Sequence, residues 1–165
     1  MLTLINYFSL NYIPLTKFFI ILHNVRSRYN VGSVFRTADG AGVTKIYLGG
    51  ITPAPPHEKI SKVALGAENS VPHETYAQTW RLIEKLKKQG VQIIAVEQSN
   101  KSMPYYKFKP RFPLAVIMGS ETKGLSPSIL KRCDSIIEIP MHGKKESLNV
   151  ATACGITCFE LAKYL

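Results

Sequence analysis

Carboxylates are scarce in this chain. Asp and Glu number 11 against 21 Lys and Arg, leaving a formal net charge of +10 and a pI near 9.6. That shortage of negative charge points to a polyanionic partner, because phosphate neutralisation supplies most of the affinity for nucleic acid. The competing reading is a basic but merely solvated surface. Cysteine is also sparse. Cys133, Cys154 and Cys158 form an odd set without regular spacing, which excludes a disulfide framework and places the chain in a reducing compartment, the cytoplasm. Cys154 and Cys158 stand four apart in a predicted helix and share a face. A metal would need a second matching pair, and His23, His57, His73 and His142 show no ligand spacing. Buried core thiols and no metal are therefore expected. Long apolar runs are missing too: Phe18–Leu22 is too short to span a bilayer. The apolar N-terminus lacks a basic leader and is interrupted by Pro14 and Lys17, so it does not read as a signal peptide. No membrane partner is expected.

There is no internal repeat, low-complexity tract or linker, so residues 1–165 read as one domain. Residues 1–16 are an N-terminal extension, either an extra strand or a loosely attached arm. With 45% hydrophobic residues the chain has the material for a packed core. Strands are expected at Phe18–Leu22, Lys45–Leu48, Val91–Val96, Leu114–Met118 and Ser135–Ile139. Helices are expected over Val31–Ala41 with Asn30 near the start and Gly42 as the stop, over Glu58–Ala64, and over Ala77–Gln89. A short one follows the Ser126-Pro127 cap, and the last runs from about Asn149 to Tyr164. This alternation gives an α/β fold with a mainly parallel sheet flanked by helices.

Three strand ends carry the residues of interest, where open α/β sheets place their ligand loops. The first is the run from Asn24 to Ala38. Within it Asn30 offers a donor and an acceptor, Gly32 permits close backbone approach, and Arg36 can grip a phosphate or carboxylate with two bonds. On its own this run reads equally as a helix cap with a surface arginine. The second run, Met118 to Ser126, places Gly119 and Gly124 on either side of a charged turn containing Glu121. Its glycine spacing fits neither a phosphate-binding P-loop nor a dinucleotide fingerprint. The third, Ile139 to Ala151, holds Ser147 and Asn149, both good helix caps, beside a basic loop with Lys144 and Lys145.

Together and in this order, these runs resemble the three motifs of the SpoU (TrmH-like) RNA 2′-O-methyltransferases of the SPOUT superfamily. The resemblance covers residues 18–165. It implies a fold with a C-terminal deep trefoil knot, an exception to the rule against threaded chains. It also implies S-adenosylmethionine held in a bent shape largely by backbone groups, and a homodimer with its active site at the subunit interface. By motif, the catalytic set falls on Asn30, Arg36, Glu121, Ser147 and Asn149. The cofactor set falls on Gly119, Glu121, Gly124, Ile139, Met141, Ser147, Leu148 and Asn149.

The implied reaction moves a methyl group to a ribose 2′-hydroxyl of a structured RNA, tRNA slightly before rRNA because no appended domain is evident. The hydroxyl must lose its proton as it attacks. The resemblance offers Arg36 as the base, yet a guanidinium holds its proton to a pH above about 12. Arg36 is therefore expected chiefly to anchor the phosphate beside the target ribose. Asn30 and Ser147 would orient the ribose and loop, Glu121 would hold Arg36 or a neighbour, and Asn149 would fix the third loop. RNA grip is expected from Arg26, Arg28, Arg36, Lys144 and Lys145, and from the basic segment with Lys101, Tyr105, Tyr106, Lys107, Lys109 and Arg111. For that segment the alternative is a loop whose tyrosines pack on the sheet. Lys85, Lys87 and Lys88 read as a solvated helix face. The rivals are a noncatalytic RNA-binding protein with the same fold, a base methyltransferase, and a generic nucleotide-binding protein.

Overall fold

The computed structural model describes residues 16–165. All of the proposed N-terminal extension except Thr16 lies outside these residues. Among the described residues seven strands form a single sheet in the order β3-β2-β1-β6-β4-β7-β5. They are β1 (Phe18–His23), β2 (Lys45–Gly49), β3 (His73–Tyr76), β4 (Gln92–Val96), β5 (Met103–Pro104), β6 (Leu114–Met118) and β7 (Ser135–Glu138). Every pairing is parallel.

The central strands are apolar on both faces because both faces are covered. On β1, Phe18, Ile20 and Leu22 point into one core and Phe19 and Ile21 into the other. The first core is roofed by α1 (Arg28–Gly40), α2 (Glu58–Ala64) and α6 (Val150–Ala162). The second is closed by α4 (Thr79–Lys88), through Leu82, Ile83 and Leu86, and by α5 (Pro127–Leu130), through Ile129. Cys154 and Cys158 are buried free thiols in the first core. No described helix is long and apolar enough to cross a membrane.

Helix α1 begins three residues before the expected Val31. Its cap is Ser27, whose hydroxyl accepts the Asn30 backbone N–H, so Asn30 lies inside the first turn. Three elements carry no apolar run and went unexpected: the four-residue α3 (Ala67–Ser70), β3 at one sheet edge and β5 at the other. The tyrosines after β5 sit in a single 3-10 turn, Tyr105–Lys107, with Tyr105 half-buried and Tyr106 exposed.

Register brings the motifs together. Leu22 on β1 pairs with Met118 on β6, and Met118 with Val96 on β4, which pairs in turn with Ile137 on β7. The segments beyond these four residues therefore emerge side by side at one end of the sheet.

Candidate active site

Just beyond that row lies a pocket of about 610 Å³, within the usual range for small-molecule sites. Its wall comes from the ends of β4 (Val96–Gln98), β6 (Met118–Leu125) and β7 (Glu138–Met141), and from Glu146–Val150. Every residue assigned to cofactor binding from the sequence lines it: Gly119, Glu121, Gly124, Ile139, Met141, Ser147, Leu148 and Asn149.

The turn after β6 doubles back tightly. Ser120 and Gly124 form an antiparallel bridge, and Gly124 has φ 59°. A Cβ on Gly119 would lie 2.5 Å from the Gly124 carbonyl carbon and 2.8 Å from the Leu125 nitrogen. No side chain fits there, so only glycine lets the turn close on itself beside the pocket.

The three motifs are joined by one chain of hydrogen bonds. Asn149 caps α6, its Oδ1 accepting the backbone N–H groups of Ala151 (2.9 Å) and Thr152 (3.4 Å). Its Nδ2 donates to Asn30 Oδ1 at 3.0 Å. Asn30 Nδ2 donates to Glu121 Oε1 at 2.9 Å. The direction is forced, since backbone N–H groups at one end only donate and an ionised carboxylate at the other only accepts. Glu121 also accepts the backbone N–H groups of Arg26 and Ser27, both at 3.1 Å. Partial burial pushes its carboxyl up, but these donors outweigh it and hold it below the usual carboxylate range. Glu121 thus clamps the start of α1. The expected link to Arg36 is not among its bonds.

Arg36 stands apart. It is exposed on α1, lines no part of this pocket, and has no hydrogen bond or ion pair among the described residues. Helical geometry explains this: Arg36 follows Asn30 by six residues, which turns it about 120° away around the helix. Arg26 and Arg28 are exposed beside the start of α1 that Glu121 holds, and Lys144 and Lys145 are exposed directly before the lining residue Glu146. Lys107, Lys109 and Arg111 are exposed in the segment between β5 and β6, and the Arg111 backbone is bonded to Gln92 at the opposite end of β4.

Among the unforeseen lining residues are two polar ones at the end of β4, Glu97 and Gln98. Glu97 accepts the backbone N–H of Leu125, and Gln98 donates to the carbonyl of Glu146. Neither sits in a motif. Their only sequence signal is a polar pair directly after a buried strand.

A sequence profile for the SpoU rRNA Methylase family matches residues 17–159. The chain belongs to this family. A curated member, the 23S rRNA (guanosine-2′-O-)-methyltransferase RlmB of Vibrio parahaemolyticus, is 34% identical over 148 residues, which is 90% of this chain and 60% of that protein. Among solved structures, the AdoMet-bound rRNA methyltransferase of Sinorhizobium meliloti superposes with a TM-score of 0.87 at 30% identity, covering 93% of this chain and 59% of that one. The TrmH/SpoU tRNA modifying enzyme of A. aeolicus gives a TM-score of 0.81 at 27% identity, covering 90% and 75%. This SpoU chain therefore spans about three fifths of the length of the curated relative.

Proposed function

We propose that this chain transfers a methyl group from S-adenosylmethionine to a ribose 2′-hydroxyl of RNA. The observation that carries this is the Asn149–Asn30–Glu121 relay, which binds all three motifs together at the mouth of the pocket. The residues fit the cofactor. The tight Gly119–Gly124 turn and the apolar side chains of Ile139, Met141 and Leu148, all lining the pocket, would hold a nucleoside carrying an amino-acid tail. Bound there, S-adenosylmethionine would supply an electrophilic methyl carbon, leaving position and proton management to the protein.

Arg36 would anchor the phosphate beside the target ribose through two bonds. Its place away from its own pocket supports a homodimer in which it serves the partner's site. Tyr29, Ser33, Arg36, Thr37 and Gly40 form one stripe along α1. Beside it, α6 presents Gly155, Ile156 and an exposed Phe159, which lies 3.4 Å from where a Cβ on Gly40 would be. A helix apolar all round normally has cover on every side, and a second copy is the cover proposed here. The same reading has the segment after β6 threaded as a trefoil knot. The lodging of β6 between β1 and β4 supports this. Placement in the cytoplasm goes with RNA as substrate and with free thiols.

Ribosomal RNA is now the preferred substrate, ahead of tRNA, since the 34%-identical relative is named for 23S rRNA guanosine. The deciding experiment is methyl transfer from labelled S-adenosylmethionine to rRNA and tRNA, with mass analysis of the nucleosides. A 2′-O-methylguanosine from rRNA that falls at least about a hundredfold in Arg36→Ala is expected, as for loss of a substrate clamp. RNA binding without any transfer would favour the noncatalytic reading.

A further inference from the structure

Two adjacent side chains leave the end of β4 in different directions and hold the two loops that form the pocket. Glu97 continues the sheet, its backbone N–H donating to the Ile137 carbonyl at 3.0 Å. Its carboxylate then reaches across to the turn after β6, where Oε2 accepts the Leu125 N–H at 2.8 Å. The other oxygen accepts the Gln98 N–H at 3.0 Å, which fixes the rotamer. The fit with the turn is close: a Cβ on Gly124 would lie 2.2 Å from Oε2. Gly124 is thus required twice, by its left-handed backbone and by this carboxylate.

Gln98 does the same for the opposite loop. Its Nε2 donates to the Glu146 carbonyl at 2.6 Å. Residues 140–148 carry no regular structure. Among the described residues this is the one hydrogen bond that reaches the stretch from another element. The loop is otherwise tied only at its ends, by β7 and by Asn149.

We propose that Glu97 and Gln98 are positioning residues that set the width of the cofactor pocket, tying the second and third motifs to one strand end. The inference rests on the reading of this pocket as the S-adenosylmethionine site. A turn and a loop sprung from different strands can close on a ligand with fixed spacing only if something common holds both. The end of β4, paired with β6 on one side and β7 on the other, is the common support. A role in spacing the pocket should govern cofactor affinity and leave RNA affinity and saturated turnover nearly unchanged.

The test uses the full chain as Glu97→Ala, Glu97→Gln and Gln98→Ala. Calorimetry with S-adenosylmethionine is combined with methyl-transfer kinetics on rRNA. Glu97→Ala should raise Kd and KM for S-adenosylmethionine roughly tenfold, the scale of one missing charge-assisted hydrogen bond, and Gln98→Ala, which loses an exposed neutral one, about threefold. KM for RNA should stay put, and kcat should remain within about threefold. Glu97→Gln should recover only part of the loss: its amide oxygen can still accept the Leu125 N–H, but its NH2 cannot accept the Gln98 N–H. A wild-type chain that binds the cofactor, with folded variants that bind it equally well, would overturn the clamp alone. So would variants that change kcat or KM for RNA instead. A wild-type chain that binds no S-adenosylmethionine would overturn the pocket reading and this inference with it.

Discussion

Asn30 has two polar ends, and both are committed, one to Asn149 and one to Glu121. At the residue scale this makes Glu121 the terminus of a relay and also the anchor for the first backbone groups of α1. Its carboxyl lies below the usual range when folded, so its contribution is complete above that range and is lost as pH falls through the folded value. Glu121→Gln should therefore destabilise the chain at about pH 7, and the gap to wild type should be narrower near pH 3, below the ordinary carboxylate range. The residue is exposed, and water can partly replace its bonds, so the difference at neutral pH should be about 1 kcal/mol. Urea denaturation at both pH values measures it, and an equal gap at both would remove the carboxylate from the account. Asn30, Glu121 and Asn149 were legible in the sequence as residue types at strand ends. Their bonds to one another were not, because they span 91 and 119 residues and depend on strand register. Glu97 and Gln98 were missed for the same reason: their targets are backbone atoms of loops delivered by other strands.

At the scale of elements, the contrast between two helical glycines is instructive. Gly32 lies where α1 crosses α2, and a Cβ there would stand 2.5 Å from the Ile60 carbonyl oxygen and 3.1 Å from Val63 Cβ. Alanine gains about 1 kcal/mol in helix propensity. Pressing on a neighbouring helix backbone costs about 1–3 kcal/mol or more, so Gly32→Ala should be destabilising on balance. Gly155 on α6 has nothing within 4 Å of its would-be Cβ. Gly155→Ala should therefore keep the propensity gain and stabilise the isolated chain by up to about 1 kcal/mol. Thermal melts of the two variants at low protein concentration should move in opposite directions, and a stabilised Gly32→Ala would show that α1 and α2 can part cheaply. The sequence marked Gly32 as a site of close approach, and the approaching group proves to be a helix. Elements with apolar runs on both faces, such as β1 and β6, were legible for that reason. The edge strands were not: β3 is His-Glu-Thr-Tyr and β5 is two residues ending in Pro104, so neither shows a buried face in its letters.

At the scale of the whole molecule, charge and the proposed two-fold assembly single out the surfaces to test. Lys144 and Lys145 directly precede Glu146, which lines the pocket, whereas Arg111 is fixed near Gln92, about 13 Å of strand away from the pocket end of β4. Replacing Lys144 and Lys145 by Ala should weaken rRNA binding. It should also flatten the slope of log affinity against log salt by about 0.7–0.9 for each phosphate no longer neutralised. Arg111→Ala should change neither, and an equal weakening there would put the RNA on the far edge. The stronger test concerns Arg36, which faces away from its own pocket and out from the stripe shared by α1 and α6. If a site is built from one protomer's pocket and Arg36 of the partner subunit, two inactive variants should complement each other. Arg36→Ala keeps its pocket, and Asn149→Ala, which breaks the relay and the α6 cap, keeps its arginine. In a mixed dimer one site pairs the sound pocket with the sound arginine, and the other site has neither. Random exchange makes half the dimers mixed with one working site of two, so an equal mixture should recover about one quarter of wild-type transfer. If Arg36 served its own protomer's pocket, each mixed dimer would hold two defective sites and recover nothing. Phe159→Glu in both chains should prevent the recovery by placing a charge on the apolar face of α6. Complementation that survives Phe159→Glu would place the contact between subunits on another surface.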